Sequence, residues 1–371
     1  MGTTLKIALI KGDGIGIDVS DATVEVVDAA LARAGAQPLE YDEIRAGAGC
    51  FAESGQDIEP DGEARAGAAD AIFLGAIGLP SVRHADGTEI SPHLRLRDRF
   101  GLYAGVRPVK AYPNAPQRLA DPRAAGIDMV ILRESTEGLF YSAAAHGRSD
   151  IRGDEEVRDT LRITRATTEK LHRFAFRLAE KRKERGKPGR VTCVDKANVF
   201  ASMAFFRKIF DEIAPEFPHI PTGYQYVDAQ ALHLVRAPWE ADVLVMENMF
   251  GDILSDLAGG LVGGMGMAAC AEIGDETGLF QPAHGSAPDI IGQDKANPLA
   301  AVLSGALMLD YLAEKSNDAS YARAATLIEG AVDAGFAANR LRPMEFGGDM
   351  GTRAMTDALL ECVAAKDLAA G

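Results

Sequence analysis

Asp252 and Asp256 stand four residues apart in NMFGDILSDLAGG. On a helix that spacing brings both carboxylates to one face, where they repel unless a cation lies between them. A third carboxylate, Asp228, sits among apolar neighbours in YQYVDAQALHLV, an expensive setting for an unpaired acid. Three carboxylates with no His or Cys beside them suit a hard cation, Mg2+ or Mn2+, rather than zinc. The competing reading is that they are helix caps and surface acids.

Lys196 interrupts an apolar run in VTCVDKANVF. It is either the structural ion-pair partner of Asp195 or a proton shuttle whose pKa is set by burial and a nearby dication. Arg97 and Arg107 are ten residues apart in LRLRDRFGLYAGVRPVK, and Arg133 closes the run MVILRES. Guanidinium groups bind carboxylates in bidentate fashion, so three from separate elements could clamp a di- or tricarboxylate. Any one of them could equally be a surface residue, which is how Arg95 and Arg99 are read.

Two glycine-rich segments complete the candidates. Gly12-Asp13-Gly14-Ile15-Gly16 lies between an apolar run and a helical pattern, as in a dinucleotide fingerprint but without its later glycine. A tight turn explains it equally well. The segment PAHGSAPDIIGQDKANP reads as an ordered loop before a helix, and Asp289 within it could accept hydrogen bonds from a ribose diol while repelling a 2′-phosphate.

The elements that must carry these groups alternate. Leu5–Ile10, Ala71–Ile77, Met129–Leu132, Val191–Val194 and Val243–Met246 are short apolar runs with strand character. Helical spacing occupies Asp18–Ala34 up to Gly35, a basic stretch from about Thr160 to Arg185, and Ala300–Glu314. The class is therefore α/β. The Lys/Arg cluster closing the Thr160–Arg185 helix complements its dipole and is read as a solvated helix end. At 371 residues the chain suits two lobes, and its hydrophobic fraction of 47% is that of a globular protein. A net charge of −15 argues against nucleic acid and anionic membranes as partners. Cys50, Cys193, Cys270 and Cys362 form no CxxC pair and read as free buried thiols. Without a signal-peptide pattern or an unbroken apolar span, the expected location is the cytoplasm.

KGDGIG, LRDRFGLYAGVRPVK, VDKANV, QYVDAQALHLVR, NMFGDILSDLAGG and HGSAPDIIGQDKANP follow one another as in the β-decarboxylating dehydrogenases, the family of isopropylmalate, isocitrate, homoisocitrate and tartrate dehydrogenases. The chain resembles that family over nearly its whole length, isopropylmalate dehydrogenase-like members most. The resemblance implies a two-lobed α/β fold that is not a standard Rossmann fold. Residues 1–102 and 260–371 would form one lobe with the NAD-binding loop, and residues 103–259 the other, with an arm and the contact of a homodimer. It implies substrate carboxylates on Arg97, Arg107 and Arg133, and Mg2+ or Mn2+ on Asp228, Asp252 and Asp256. Lys196 would be the base, Lys196 and Asp228 reaching in from the partner subunit. NAD would lie on His284, Gly285, Ser286, Ala287, Asp289 and Asn297, with Asp289 selecting NAD over NADP.

Two departures from the family pattern matter. Its proton-donating tyrosine matches Phe140, with Tyr141 one residue later; Tyr141 is expected to take the role through a local bulge, water being the alternative donor. At the positions that sort substrates stand Ile90, Ser91, His93 and Leu94, of which Ile90 and Leu94 suit an apolar C3 substituent and Ser91 and His93 a carboxylate or hydroxyl. The resemblance thus implies NAD-dependent oxidation and decarboxylation of a 3-substituted malate, 3-isopropylmalate before tartrate, D-malate, homoisocitrate or isocitrate. A Rossmann-type nucleotide-binding module, with Glu40 or Asp42 closing its second strand, would leave Lys196 and the three aspartates unexplained. A catalytically silent subunit would be expected to have lost some of them.

Overall fold

The computed structural model describes residues 4–143 and 149–365. Its strands are β1 (Lys6–Gly12), β2 (Glu40–Glu43), β3 (Ala71–Ala76), β4 (Ala104–Lys110), β5 (Asp128–Glu134), β6 (Asp150–Arg152), β7 (Glu156–Arg158), β8 (Val191–Asp195), β9 (Thr222–Tyr226), β10 (Val243–Met246), β11 (Ala269–Ile273) and β12 (Gly278–Pro282). All but β6 and β7, which pair as a separate ribbon, join one sheet in the order β2-β1-β3-β12-β11-β4-β5-β10-β8-β9. Its two ends are parallel, while β11 runs antiparallel to both β12 and β4, and β4 antiparallel to β5. Strands from residues 1–102 and 260–371 lie on one side of the β11–β4 junction, and strands from residues 103–259 on the other.

The five apolar runs expected as strands are β1, β3, β5, β8 and β10. Four of the strands that lacked a clear signal are of two kinds. Strands β2 and β9 close the sheet at its two edges and are half exposed, so their composition is polar. Strands β11 and β12 are buried but only five residues long, β11 carrying Glu272 and β12 ending in Gln281 and Pro282, which hid them. Helices cover the faces. Gly16–Ala34 ends at Gly35, whose φ of 67° and N–H bonds to Ala32 and Leu31 close the helix as Gly does best. The helix expected from about Thr160 starts at Arg165. Its basic end is more than a solvated terminus: Arg182 Nε donates to the buried Asp242 at 2.6 Å, and its Nη2 reaches Asp128 at 3.1 Å.

The four cysteines are free and buried. Among the described residues no helix is long and apolar enough to cross a membrane.

Candidate active site

A cleft of about 330 Å³ opens at the carboxyl ends of β3, β5 and β12, the usual place for a ligand in an α/β sheet. Three buried arginines reach it from three elements. Arg97 comes from the helix Pro92–Arg99, whose proline occupies the first turn without loss of a backbone bond. Arg107 comes from β4 and Arg133 from the end of β5. Opposite them runs the helix Asn248–Leu261, capped by the Glu247 carboxylate, which accepts from Met249 N at 3.1 Å and Phe250 N at 2.8 Å. This helix approaches β5 at Gly251, where a Cβ would come within 2.6 Å of the Arg133 side chain.

Arg133 is 2% exposed and its guanidinium is held on all sides. Nε and Nη2 donate to Asn248 Oδ1 at 2.9 and 2.6 Å, Nη1 pairs with Asp252, and the ring of Phe140 lies 4.9 Å away. Burial, then the like charges of Arg107 and Arg97, lowers its pKa to about 10. Arg107 donates to Ser255 Oγ at 2.6 Å and faces Asp252 at 3.5 Å and Asp256 at 3.7 Å. Its pKa is raised: burial opposes this, but Cys270, Glu272, Asp252 and Asp256 outweigh it. Asp256 is pushed up by burial, with Arg107 pulling down and Asp252 up. The two helix aspartates therefore do share a face, and the cations beside them in this chain are arginines.

Asp228 and Lys196 stand elsewhere, on the far side of the sheet order at β9 and β8. Lys196 Nζ meets Asp228 Oδ1 at 2.5 Å, and this hydrogen bond first of all holds the Asp228 carboxyl below its usual range. Two expectations change here. Asp195 is paired with Arg207, at 2.7 and 2.9 Å, so it is not the partner of Lys196. Asp228 is exposed rather than buried, because it opens a helix, Val227–Arg236, against the edge strand β9. Among the described residues of a single chain, no group of three or more His, Cys, Asp or Glu side chains is arranged to hold a metal ion.

Next to the arginines, Ser91, His93, Leu94, Glu89, Ile77 and Phe140 line the cleft, whereas Ile90 is packed into the core at 1% exposure and does not. His93 Nδ1 is buried without a hydrogen-bond partner among the described residues. Burial first, then Arg97 and Arg133, pushes His93 down to about 3, so its imidazole is neutral. Tyr141 is not among the lining residues: Arg162 covers its ring at 3.8 Å. The expectation that a bulge would return Tyr141 to the cleft is not met, because residues Phe140–Ala143 are helical. Neighbours on a helix diverge by about 100°, and here Phe140 takes the inward direction. Arg95 and Arg99 pair with Asp57 and Glu63 outside the clamp.

The glycine segment is the tight turn that one of its two readings expected, and it has a further contact. Gly12 and Gly14 adopt φ of 75° and 58°, and a Cβ at Gly14 would lie 2.3 Å from the Ser286 carbonyl oxygen. Ile15 N donates to that oxygen at 3.0 Å, and Ser286 Oγ donates to Gly78 O. Asp13 accepts from Ala48, Gly49 and Gly78 N–H groups at 2.7–2.8 Å. This turn thus supports the loop at 284–287. His284 and Gly285 line the cleft, Ala287 has a φ of 41°, and Asp289 is exposed. Asn297 points away: Oδ1 accepts from Leu299 N at 3.2 Å and Nδ2 donates to Glu345 at 2.9 Å.

Residues 6–359 match the family model described as isocitrate/isopropylmalate dehydrogenase. The chain belongs to that family. A relative from Methanocaldococcus jannaschii, named 3-isopropylmalate/3-methylmalate dehydrogenase, is 39% identical over 354 residues, covering 95% of this chain and 97% of its own. The Bacillus licheniformis 3-isopropylmalate dehydrogenase is 40% identical over 310 residues, 82% of each chain. Among solved structures, isocitrate dehydrogenase from Methylococcus capsulatus superposes with a TM-score of 0.82 at 35% identity, covering 98% of this chain and all of that one. A β-decarboxylating dehydrogenase from Thermococcus kodakarensis gives 0.76 at 33% identity, covering 97% and 96%. As an isocitrate/isopropylmalate dehydrogenase family member the chain is an enzyme of oxidative decarboxylation, with the α/β fold expected from its motifs.

The site also holds residues that sequence reasoning missed. Asn248 and Ser255 orient the arginines, and Gln281 lines the cleft. Glu272 lies buried and paired with Arg97 at 2.8 Å. Its signal was available: an acid alone in the apolar run AACAEIG is the same anomaly that drew attention to Asp228.

Proposed function

We propose that this enzyme oxidises a 3-substituted malate at C2 with NAD+ and releases its β-carboxylate as carbon dioxide, in the presence of Mg2+ or Mn2+. The observation that carries the reading is the gathering of three buried arginines at one cleft opposite Asp252. Buried cations crowded together are stable only with anions between them, and a substrate with two carboxylates provides these. Asp252 and Asp256, all-oxygen donors on one helix face, would hold the cation, with Asp228 of a second copy completing the set. Bound there, the cation would acidify the 2-hydroxyl and favour negative charge on the neighbouring oxygen during loss of carbon dioxide, while NAD+ would take the hydride.

The chain's own residues supply the rest. The guanidinium of Arg133, fixed by Asn248, and that of Arg107, fixed by Ser255, orient the substrate carboxylates. Lys196, delivered by the second copy beside Asp228, accepts the hydroxyl proton at Nζ. A homodimer with shared sites fits the surface around these groups: Val199, Phe200, Leu232, Val235 and Ile253 are all at least half exposed, an apolar patch beside Lys196, Asp228 and Asp252 that suits burial in a partner. The loop at 284–287 with Asp289 is the proposed NAD contact, and Asp289 favours NAD over NADP. Protonation at C3 falls to Tyr141 only if the helix at 140–143 turns; otherwise water in the cleft donates.

For the substituent, 3-isopropylmalate is the leading reading, supported by the names of the relatives and by the apolar wall of Ile77, Leu94 and Phe140. A hydroxyl-bearing or unsubstituted acid, tartrate or D-malate, is favoured instead by Ser91 and the neutral His93. NADH formation with Mn2+ or Mg2+ across 3-isopropylmalate, D-malate, tartrate, isocitrate and homoisocitrate tests the function. Turnover abolished by a chelator supports it, and silence with every acid, together with failure to bind NAD, overturns it.

A further inference from the structure

We infer that Asp13 is a positioning residue that couples the two halves of the cleft, tying the wall that receives the acid to the loop that receives the dinucleotide. The inference rests on the dehydrogenase reading above, and it gives the KGDGIG turn a task which that reading leaves open. Asp13 is 5% exposed and holds the end of β3 at two points. Its N–H donates to Ala76 O at 2.7 Å and its Oδ2 accepts from Gly78 N at 2.7 Å, so Ile77 between them is fixed in the cleft wall. The same carboxylate accepts from Ala48 N and Gly49 N, both at 2.8 Å, which anchors it to the start of the helix Ala48–Ser54. Hydrogen bonds to a carboxylate are stronger than those between neutral groups. The backbone around this one is cleared for it: a Cβ at Gly47, where φ is 120°, would lie 2.5 Å from Asp13 Oδ2.

Gly78 is held by both of its polar groups. Its N–H goes to Asp13 and its carbonyl accepts from the Ser286 hydroxyl, at a φ of 108° that favours glycine. Ser286 is bound back to the same turn, its own carbonyl accepting from Ile15 N at 3.0 Å. A ring of contacts thus closes through Asp13, Gly78, Ser286 and Ile15. On one side of it Ile77 lines the cleft, and the segment leaving Gly78 leads to Ser91 and His93 beside the arginines. On the other side His284 and Gly285 line the cleft from the loop assigned to the cofactor. A dinucleotide seated on that loop restricts Ser286, and through Gly78 it restricts Ile77. Order imposed by one ligand then need not be imposed by the other, which is positive coupling between the two subsites.

The test is the effect of one ligand on the affinity of the other. Fluorescence titration of the full chain with NADH and Mg2+ gives the NADH Kd with and without saturating 3-isopropylmalate or D-malate. Reduced cofactor and unoxidised acid do not react, so binding is read without turnover. In wild type at least one of these acids is expected to tighten NADH by about fivefold or more, the lower end of ordinary coupling. In Asp13→Ala that ratio should fall to within about twofold of one. Ser286→Ala leaves every Asp13 bond in place and frees only the Gly78 carbonyl. It is expected to lower the ratio in the same direction, and it answers the question even if Asp13→Ala does not fold. A merely structural role, or direct contact between the two ligands, would change single affinities but leave the ratio at its wild-type value, which overturns the inference. So does a wild type whose NADH affinity neither acid alters. NADH formation from NAD+ with the same acids, followed in parallel, decides the dehydrogenase reading separately.

Discussion

Replacing Lys196 by methionine separates catalysis from structure, because the two roles predict different magnitudes. The lysine meets Asp228 at 2.5 Å, but on a surface where the aspartate is about two thirds exposed. Exposed pairs of this kind contribute little to folding, since both charges are well solvated when apart. Methionine keeps the length and apolar stem of the side chain, so the melting temperature should stay within about 2 °C of wild type. Loss of a general base costs on the order of 10²- to 10⁴-fold in turnover. The assay is initial-rate NADH formation at saturating acid and Mn2+, with thermal unfolding followed on the same preparation. A normal melt with kcat reduced by that factor is the expected result. Undiminished kcat would remove Lys196 from the mechanism. A large fall in melting temperature would show instead that the Lys196–Asp228 pair holds the fold, and that its proximity to the patch of Val199 and Phe200 is structural.

Three further outcomes follow from the same geometry. Asp252→Asn should raise the Mn2+ concentration for half-maximal activity at least about tenfold, one charge being lost beside a dication; an unchanged requirement would contradict the ligand assignment. Tyr141→Phe should leave the ratio of carbon dioxide to NADH unaltered, because the ring lies under Arg162, and a fall in that ratio would return Tyr141 to the role of proton donor. Glu134 is pushed up to about 7 by burial, despite accepting from Thr136 and Glu137. Its folded pKa lies above the ordinary value, so its contribution to stability is complete below about pH 4 and lost as pH rises through about 7. Denaturant melts should therefore show wild type losing up to about 3 kcal/mol relative to Glu134→Gln between those limits; parallel curves would refute the assignment.

Much of the chemistry was legible because it is local. The four-residue spacing of Asp252 and Asp256 places them on one face of any helix, and the helix Asn248–Leu261 carries them so. The apolar runs β1, β3, β5, β8 and β10 are buried strands whose composition follows from burial alone. The number and type of the arginines were likewise plain. Pairings between distant residues were not. Arg133 with Asp252, Arg97 with Glu272, and Asp195 with Arg207 rather than Lys196 depend on which strands become neighbours and which face each residue takes. Strand β11 pairs with its chain neighbour β12 on one side and with the distant β4 on the other, and that second pairing brings Glu272 under the clamp. The glycines of KGDGIG were visible as a turn, but their contact with Ser286 needs β1 beside β3 and the 284–287 loop folded onto both. The sequence alone determined which chemistry the side chains can perform, since spacing on a helix or strand is set within a few residues. The tertiary structure decided which charges meet and which remain for a ligand, because those contacts arise from sheet order and burial that no local pattern encodes.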